Sequence, residues 1–114
     1  MKIQSTSQGD VQMLELSGEL DYHSSPELRE KLTELTGKQT RKILVNLGGV
    51  DYMDSSGIAT FVEAFQKAKR YQGRLILAAL TATVRGVFEI AKLDSIFEIT
   101  PTVAEGVESL GPKT

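Results

Sequence analysis

Residues 43–58 read Ile-Leu-Val-Asn-Leu-Gly-Gly-Val-Asp-Tyr-Met-Asp-Ser-Ser-Gly-Ile, and this stretch decides the fold. The apolar run with which it begins predicts a strand over residues 42–47 that is covered on both faces. The polar tip Asp54-Ser55-Ser56-Gly57 comes next, and an amphipathic helix is predicted over residues 56–72. A strand-turn-helix unit places such a tip at the carboxyl end of the sheet, where open α/β folds usually carry their working residues.

The tip has a structural and a functional interpretation. A helix N-terminus offers unpaired N–H groups and a partial positive charge, so a serine there can cap the helix. It can also carry a phosphate that the same N–H groups would hold. Asp-Ser-Ser-Gly is common capping and turn chemistry, which favours the structural interpretation. Two features favour function: two hydroxyls stand where one would cap, and Gly57 leaves the backbone open to a ligand or another chain.

Composition narrows the class of protein. The chain has 114 residues, of which 40% are hydrophobic and 25% charged, and this predicts one domain over residues 1–114 with an ordered core at about 2–110. A net charge of -2 argues against nucleic acid as a partner. No apolar run is long enough for a membrane span, and the amino terminus lacks a signal-peptide core. We therefore expect a cytoplasmic protein that does not insert into a membrane.

The whole chain predicts a single α/β domain with the element order β-β-α-β-α-β-α-β-α. An N-terminal hairpin around Gln8-Gly9-Asp10 is followed by right-handed crossovers, giving a mixed, mainly parallel sheet with about four helices. The frayed tail is predicted after Gly111-Pro112. The predicted strands cover 2–7, 10–17, 42–47, 74–79 and 97–100. The predicted helices begin at Ser24 and end at Gly37, cover 56–72, begin at Thr81 or Thr83, and run from Thr100 to Leu110.

The residue inventory argues against catalysis. A serine nucleophile needs a base, and the sole histidine, His23, is expected to be an exposed loop residue. The absence of cysteine excludes a thiol nucleophile and thiolate metal ligands. No phosphate-loop motif is present. We predict no enzyme activity, no cofactor and no metal. Binding of Mg²⁺ by Asp21, Asp51 and Asp54 stays open as an alternative.

Several segments resemble a known family. They are Gly18-Glu19-Leu20-Asp21, Val45-Asn46-Leu47, Val50 through Gly57, Gln72-Gly73-Arg74-Leu75, and Val84 through Ile90. Together they resemble the STAS domain, specifically the stand-alone bacterial anti-sigma factor antagonists. The resemblance covers nearly the whole chain, and Asp-Ser-Ser-Gly is its most specific element.

The resemblance implies a partner-switching mechanism. The unphosphorylated antagonist binds an anti-sigma factor, a serine kinase with its own ATP site, and thereby frees a sigma factor. The kinase phosphorylates the antagonist, the complex dissociates, and a PP2C-type phosphatase removes the phosphate. The Ser directly after the Asp is the acceptor, which makes it Ser55, with Ser56 as the helix-start hydroxyl. The resemblance assigns partner binding to Asp21, Asp54, Ser56, Gly57 and Ile58.

The sequence departs from the family pattern at two places. Many members read Gly-Leu-Gly after the second hydroxyl, where this chain has Gly57-Ile58-Ala59. Gly86 stands inside the third predicted helix, where glycine costs about 1 kcal/mol relative to alanine. It marks a close contact, a partner surface or nothing at all.

Two other functions remain open on the sequence. One is a STAS adaptor or scaffold subunit that is never phosphorylated, of the stressosome or lipid-transport type. The other is nucleotide binding at the tip. For the phosphorylation-switched antagonist, a phosphoserine adds about -1.5 to -2 charges. We expect that charge to act by local electrostatics without a change of fold.

Overall fold

A computed structural model describes residues 1–111, in which strands and helices follow the predicted order. The predicted frayed tail, which follows Gly111-Pro112, lies outside the described residues. The strands are β1 (Lys2–Gln8), β2 (Val11–Leu20), β3 (Lys42–Met53), β4 (Arg74–Ala78) and β5 (Glu98–Thr100). The helices are α1 (Ser25–Gly37), α2 (Ser55–Arg70), α3 (Ala82–Ile90) and α4 (Val103–Leu110).

The sheet is mixed, as predicted. Its strand order is β1-β2-β3-β4-β5, with an antiparallel β1–β2 hairpin and parallel pairing from β2 onward. Gly9 at φ 63° makes the hairpin turn. Because β2, β3 and β4 run in parallel, their carboxyl ends meet at one edge of the sheet. The tip at residues 54–57 lies at that edge.

Helices cover the two faces of the sheet unequally. Apolar side chains of α1, α2 and α3 share one core, including the buried Leu28, Phe61 and Phe88. Phe88 meets Phe97 edge-on with ring centroids 5.5 Å apart. On the other face, α4 packs Leu110 over β3 and β4. No helix within residues 1–111 has the length and apolar character needed to cross a membrane.

Strands β2 and β3 are longer than predicted. The sequence places their ends at residues 17 and 47, whereas they continue to Leu20 and Met53. Gly18 and Gly49, which lie beyond the predicted ends, are inside the strands, where the β2–β3 register shifts. Gly18 takes φ 102°, and a Cβ on Gly49 would lie 2.8 Å from the Ser17 Cβ. The extension carries both strands to the tip.

Helix α2 begins and ends earlier than the predicted range of 56–72. Its first residue is Ser55, and its last is Arg70. Gln72 takes the left-handed conformation at φ 64°, and the Gly73 N–H donates to the Ala68 carbonyl over 2.8 Å. This is a Schellman ending with a glutamine where glycine was expected.

The ends of the later elements also differ from the prediction. Helix α3 is capped by Thr81, which settles the choice between two threonines. Helix α4 begins after Thr102, whose hydroxyl accepts from the Glu105 N–H, and not at Thr100. Strand β4 ends at Ala78, and Ala79 takes φ 62°. Strand β5 begins at Glu98, whereas Phe97 is buried in the core and its N–H donates to the Leu93 carbonyl over 3.2 Å.

Candidate functional site

The tip is assembled from the carboxyl ends of β2, β3 and β4. The backbone N–H of Asp54, after β3, donates to the Leu20 carbonyl at the end of β2 over 3.2 Å. On the other side, the Thr81 hydroxyl donates to the Val50 carbonyl over 3.1 Å. Neighbouring loops are therefore tied to one another by direct hydrogen bonds, and the start of α2 lies between them.

Asp54 caps helix α2. It is the N-cap residue in an extended conformation, and its Oδ1 accepts the Ser56 N–H over 2.9 Å. The prediction that the Ser56 hydroxyl starts the helix is wrong, because the Asp54 carboxylate, two residues earlier, is the cap. Ser55 is consequently the first residue of the helix, and its side chain is exposed.

The backbone N–H groups of Ser56, Gly57 and Ile58, in the first turn of α2, already have acceptors. Asp54 Oδ1 accepts from Ser56, and the Asp54 carbonyl accepts from Gly57 at 3.1 Å and from Ile58 at 3.3 Å. One of the two interpretations of the sequence was that such groups could hold a phosphate. In this structure a phosphate on Ser55 would have to compete with Asp54 for them, so it would remain at the surface.

The two serines of the tip are unequal in environment. Ser55 is exposed, whereas Ser56 is half-buried. The Ser56 carbonyl also accepts the Thr60 hydroxyl over 2.9 Å, which holds the first turn of the helix. The Ser55 side chain is therefore the more accessible of the two hydroxyls.

Gly57 is required by packing within the protein. It is buried, and a Cβ added there would lie 2.8 Å from the Met53 Cγ and 2.9 Å from the Leu20 Cδ2. The room that the sequence assigned to a ligand or another chain is thus filled by the chain's own side chains. Ile58, the next residue, is half-buried against the core, and Ala59 is exposed.

Asp21 organises the loop between β2 and α1. Its Oδ1 accepts the N–H groups of His23 at 2.9 Å and Ser24 at 3.0 Å. These bonds, the one from Ser24 above all, lower the pKa of Asp21 below its ordinary value. Ser24 lies at the N-cap of α1 but makes no capping bond; its hydroxyl donates to the Glu19 carbonyl over 2.8 Å.

Two exposed tyrosines near the tip were missed by the sequence analysis. Tyr22 is 74% exposed and Tyr52 is 45% exposed, although tyrosine has a large apolar ring. Each stands at or just after the end of a strand, which is the signal that could have identified them. His23 is exposed, as predicted, and its ring meets that of Tyr22 edge-on at 5.6 Å.

Hollows flank the tip on two sides. A groove of about 890 Å³ runs between α1 and α2 and includes Tyr22 and Ser56 in its lining. Within it, Arg29 forms a two-pronged ion pair with Glu63, at 2.7 and 2.9 Å, which joins the two helices. The Arg29 guanidinium lowers the pKa of Glu63. A shallower depression on the other side is lined in part by Asp21 and Asp51.

The carboxylates of the tip serve the backbone. Asp54 caps α2 and Asp21 holds the turn before α1. Among residues 1–111, no three His, Asp or Glu side chains come close enough together to hold a metal ion. The alternative of Mg²⁺ bound by Asp21, Asp51 and Asp54 therefore finds no preformed cluster.

Comparison with known proteins supports this description of the fold. A family model described as the STAS domain matches residues 2–106. The "anti-sigma-B factor antagonist" of Bacillus subtilis (strain 168) is 35% identical over 102 residues, which are 90% of this chain and 92% of that protein. Its counterpart of the same name in Staphylococcus aureus (strain NCTC 8325 / PS 47) is 32% identical and covers 95% of this chain and 96% of its own.

A solved structure extends the comparison to the fold. The Bacillus cell-fate determinant SpoIIAA in its phosphorylated form superimposes with a TM-score of 0.76. The alignment covers 96% of this chain and 99% of that chain, at 24% sequence identity. At this identity the likeness concerns the fold.

Proposed function

The chain belongs to the STAS domain family, and on that premise we propose that it is an anti-sigma factor antagonist switched off by phosphorylation of Ser55. Unphosphorylated, it binds a serine-kinase anti-sigma factor and frees a sigma factor. The kinase transfers a phosphate from ATP to Ser55, and a PP2C-type phosphatase removes it. The names of the Bacillus and Staphylococcus relatives, both anti-sigma-B factor antagonists, support the class of function.

The observation that carries the proposal is the position of Ser55. Its side chain is exposed at the first residue of α2, and the neighbouring N–H groups are occupied by Asp54. A kinase can therefore reach the hydroxyl without unfolding the helix. The same arrangement leaves a phosphate on Ser55 at the surface, where a bound partner would meet it.

The physical effect of the phosphate follows from its charge. At neutral pH it adds about -1.5 to -2 charges to a tip that already contains Asp54. The positive end of the α2 dipole partly stabilises this charge, while the nearby carboxylate repels it. A partner surface that fits a neutral hydroxyl then has to accept a hydrated dianion. Each 1.4 kcal/mol lost from binding lowers the affinity about tenfold, so a modest penalty dissociates the complex.

The proposed contact surface surrounds the acceptor. Asp54 and Ser56 present their side chains beside Ser55, and the half-buried Ile58 offers part of its surface one turn along. Gly57 contributes by its lack of a side chain, since it lets α2 approach Leu20 and so sets the height of Ser55 above the sheet. Asp21 contributes through the loop that it holds. Tyr22 and Tyr52 enlarge the surface, because tyrosine is enriched among residues that dominate binding energy.

The proposal is tested by binding to the anti-sigma factor kinase whose gene lies nearest to the gene of this protein. The wild type, Ser55→Ala, Ser55→Asp and Ser56→Asp are titrated into that kinase with ADP by calorimetry. We expect Ser55→Ala to bind like the wild type and Ser55→Asp to bind at least about tenfold more weakly. Ser56→Asp is the matched control and should weaken binding less. Equal binding of Ser55→Asp and wild type would instead favour the adaptor that is never phosphorylated.

A further inference from the structure

The outward face of α3 has no explanation in the fold. Val84 and Phe88 point into the core and are fully buried. At 100° per residue, Gly86 then lies in the middle of the opposite face, between Ala82 and Ile90. This face is apolar at its centre, although it is directed away from the protein.

Gly86 is not needed for any contact within the described part of the chain. A Cβ built at this position meets no heavy atom within 4 Å, and its φ lies in the ordinary helical region. The interpretation that Gly86 marks a close internal contact is therefore wrong. Glycine inside a helix costs about 1 kcal/mol relative to alanine, which the monomer does not recover at this site.

Ile90 is a large apolar side chain exposed on the same face of α3 as Gly86. It is 86% exposed, more than Tyr22, Tyr52 or Ile96, the other large hydrophobic side chains exposed in residues 1–111. It stands one turn after Gly86 on the same face, so the helix presents a bare backbone next to a large apolar side chain. Beside them Arg85 and Glu89 face each other at 3.7 Å, half exposed and at the same four-residue spacing.

We propose that α3 is the contact between two copies of this chain, packed antiparallel about a two-fold axis near residues 87–88. In that arrangement Ile90 of each copy lies against the bare backbone at Gly86 of the other. Arg85 of each copy then meets Glu89 of the other. Both pairs are self-complementary about nearly the same axis, which is what a symmetric dimer requires. The choice of a second copy as the occupant rests on this match of shape and charge.

The surface is small, so the dimer is weak. Helix α3 has nine residues and is about 13 Å long at 1.5 Å per residue. Such a contact buries less than the roughly 1,200 Å² of standard stable interfaces. Dimerisation is therefore concentration-dependent, and the cross-copy ion pairs make it stronger at low salt.

Sedimentation equilibrium over a concentration series at low ionic strength tests the apolar contact. The wild type should associate reversibly to a dimer, and Ile90→Lys should weaken association at least tenfold. Ala104→Lys adds the same charge at an exposed position of α4, on the other face of the sheet, and should associate like the wild type. A wild type that stays monomeric throughout, or an Ile90→Lys variant that associates equally well, overturns the proposal.

A charge exchange tests whether Arg85 and Glu89 lie in the contact between the two copies. Arg85→Glu carries two acidic residues on the contact and Glu89→Arg two basic ones, so each variant alone should associate more weakly than the wild type. Mixed in equal amounts, they should form a heterodimer, because every cross-copy pair is then of opposite charge. Loss of the pair within the helix cannot produce this result, since mixing does not restore it. If the mixture associates no better than either variant alone, the antiparallel arrangement is wrong. Neither experiment involves the kinase, so its outcome is independent of the proposed switch at Ser55.

Discussion

The backbone N–H of Asp54 donates to the carbonyl oxygen of Leu20 over 3.2 Å, and this bond joins the end of β2 to the cap of α2. Leu20 also contacts the helix from below, since its side chain lies where a Cβ on Gly57 would go. Ser55, the proposed phosphate acceptor, stands between these two contacts. Its position thus depends on packing beneath the helix and on the cap before it, and each can be tested separately.

Gly57→Ala should destabilise the protein, because its methyl group would lie 2.8 Å from Met53 and 2.9 Å from Leu20. Forced overpacking of this kind typically costs 1–3 kcal/mol, so we expect a loss of about that size in the free energy of unfolding by urea. Gly86→Ala is the matched control. It meets open space in a helix and should stabilise the dilute, monomeric protein by up to about 1 kcal/mol. A Gly57→Ala variant as stable as the wild type would contradict the packing beneath the helix.

Asp54→Ala should remove the cap of α2 and lower the free energy of unfolding by about 1 kcal/mol. Asp54→Asn keeps an acceptor for the Ser56 N–H and should lose less. Ser56→Ala should be nearly neutral, because its hydroxyl does not cap the helix. Chemical denaturation of the three variants distinguishes the caps, and a larger loss for Ser56→Ala than for Asp54→Ala would assign the cap to the serine.

Asp21 should titrate below its ordinary pKa of 3.8, because the charged form accepts N–H bonds from Ser24 and His23. A lowered folded-state pKa means that the stabilisation is present at pH values above the unfolded pKa. It is lost as the pH falls through the folded-state pKa. Asp21→Asn should therefore make the unfolding free energy less dependent on pH in the acid range. NMR titration of the carboxyl carbon measures the pKa directly, and an ordinary or raised value would show that these bonds do not favour the carboxylate.

Tyr22→Ala should leave the stability of the fold almost unchanged, because the side chain is 74% exposed. It should nevertheless weaken binding to the kinase at least tenfold, since truncating a hot-spot tyrosine costs about 2 kcal/mol or more of binding. Tyr22→Phe is the conservative control and should retain most of the affinity. Equal affinities of Tyr22→Ala and the wild type would exclude Tyr22 from the contact surface.

The order of the elements was predictable, because the spacing of apolar residues in this chain distinguishes its strands from its helices. The ends of the strands and helices were less predictable at glycines, because glycine occurs both beyond the end of a strand and at irregular positions inside one. Strands were predicted to end before Gly18 and Gly49, whereas both glycines lie at irregular positions in continuing strands. Gly57 suggested an opening for a ligand and is instead filled by Leu20, which precedes it by 37 positions in the chain. Such a contact cannot be deduced from local pattern alone.

The position of the tip in the fold was predicted correctly, but the hydrogen bonds within it were not. Asp54 and the two serines were placed at the carboxyl edge of the sheet, where the structure has them. Which of the three caps the helix depends on backbone angles: Asp54 is extended, at φ -111° and ψ -171°, and so becomes the cap. The exposure of Tyr22 depends on the turn held by Asp21, which residue types alone do not specify.

The most direct test of the switch is to locate the phosphate. The purified protein is incubated with the nearest encoded anti-sigma factor kinase and Mg-ATP, and its intact mass and peptides are measured. Ser55→Ala and Ser56→Ala are treated in parallel. We predict one phosphate on Ser55 in the wild type and in Ser56→Ala, and none in Ser55→Ala. A wild type that binds the kinase stably and remains unmodified, or a phosphate that persists in Ser55→Ala, would contradict the account.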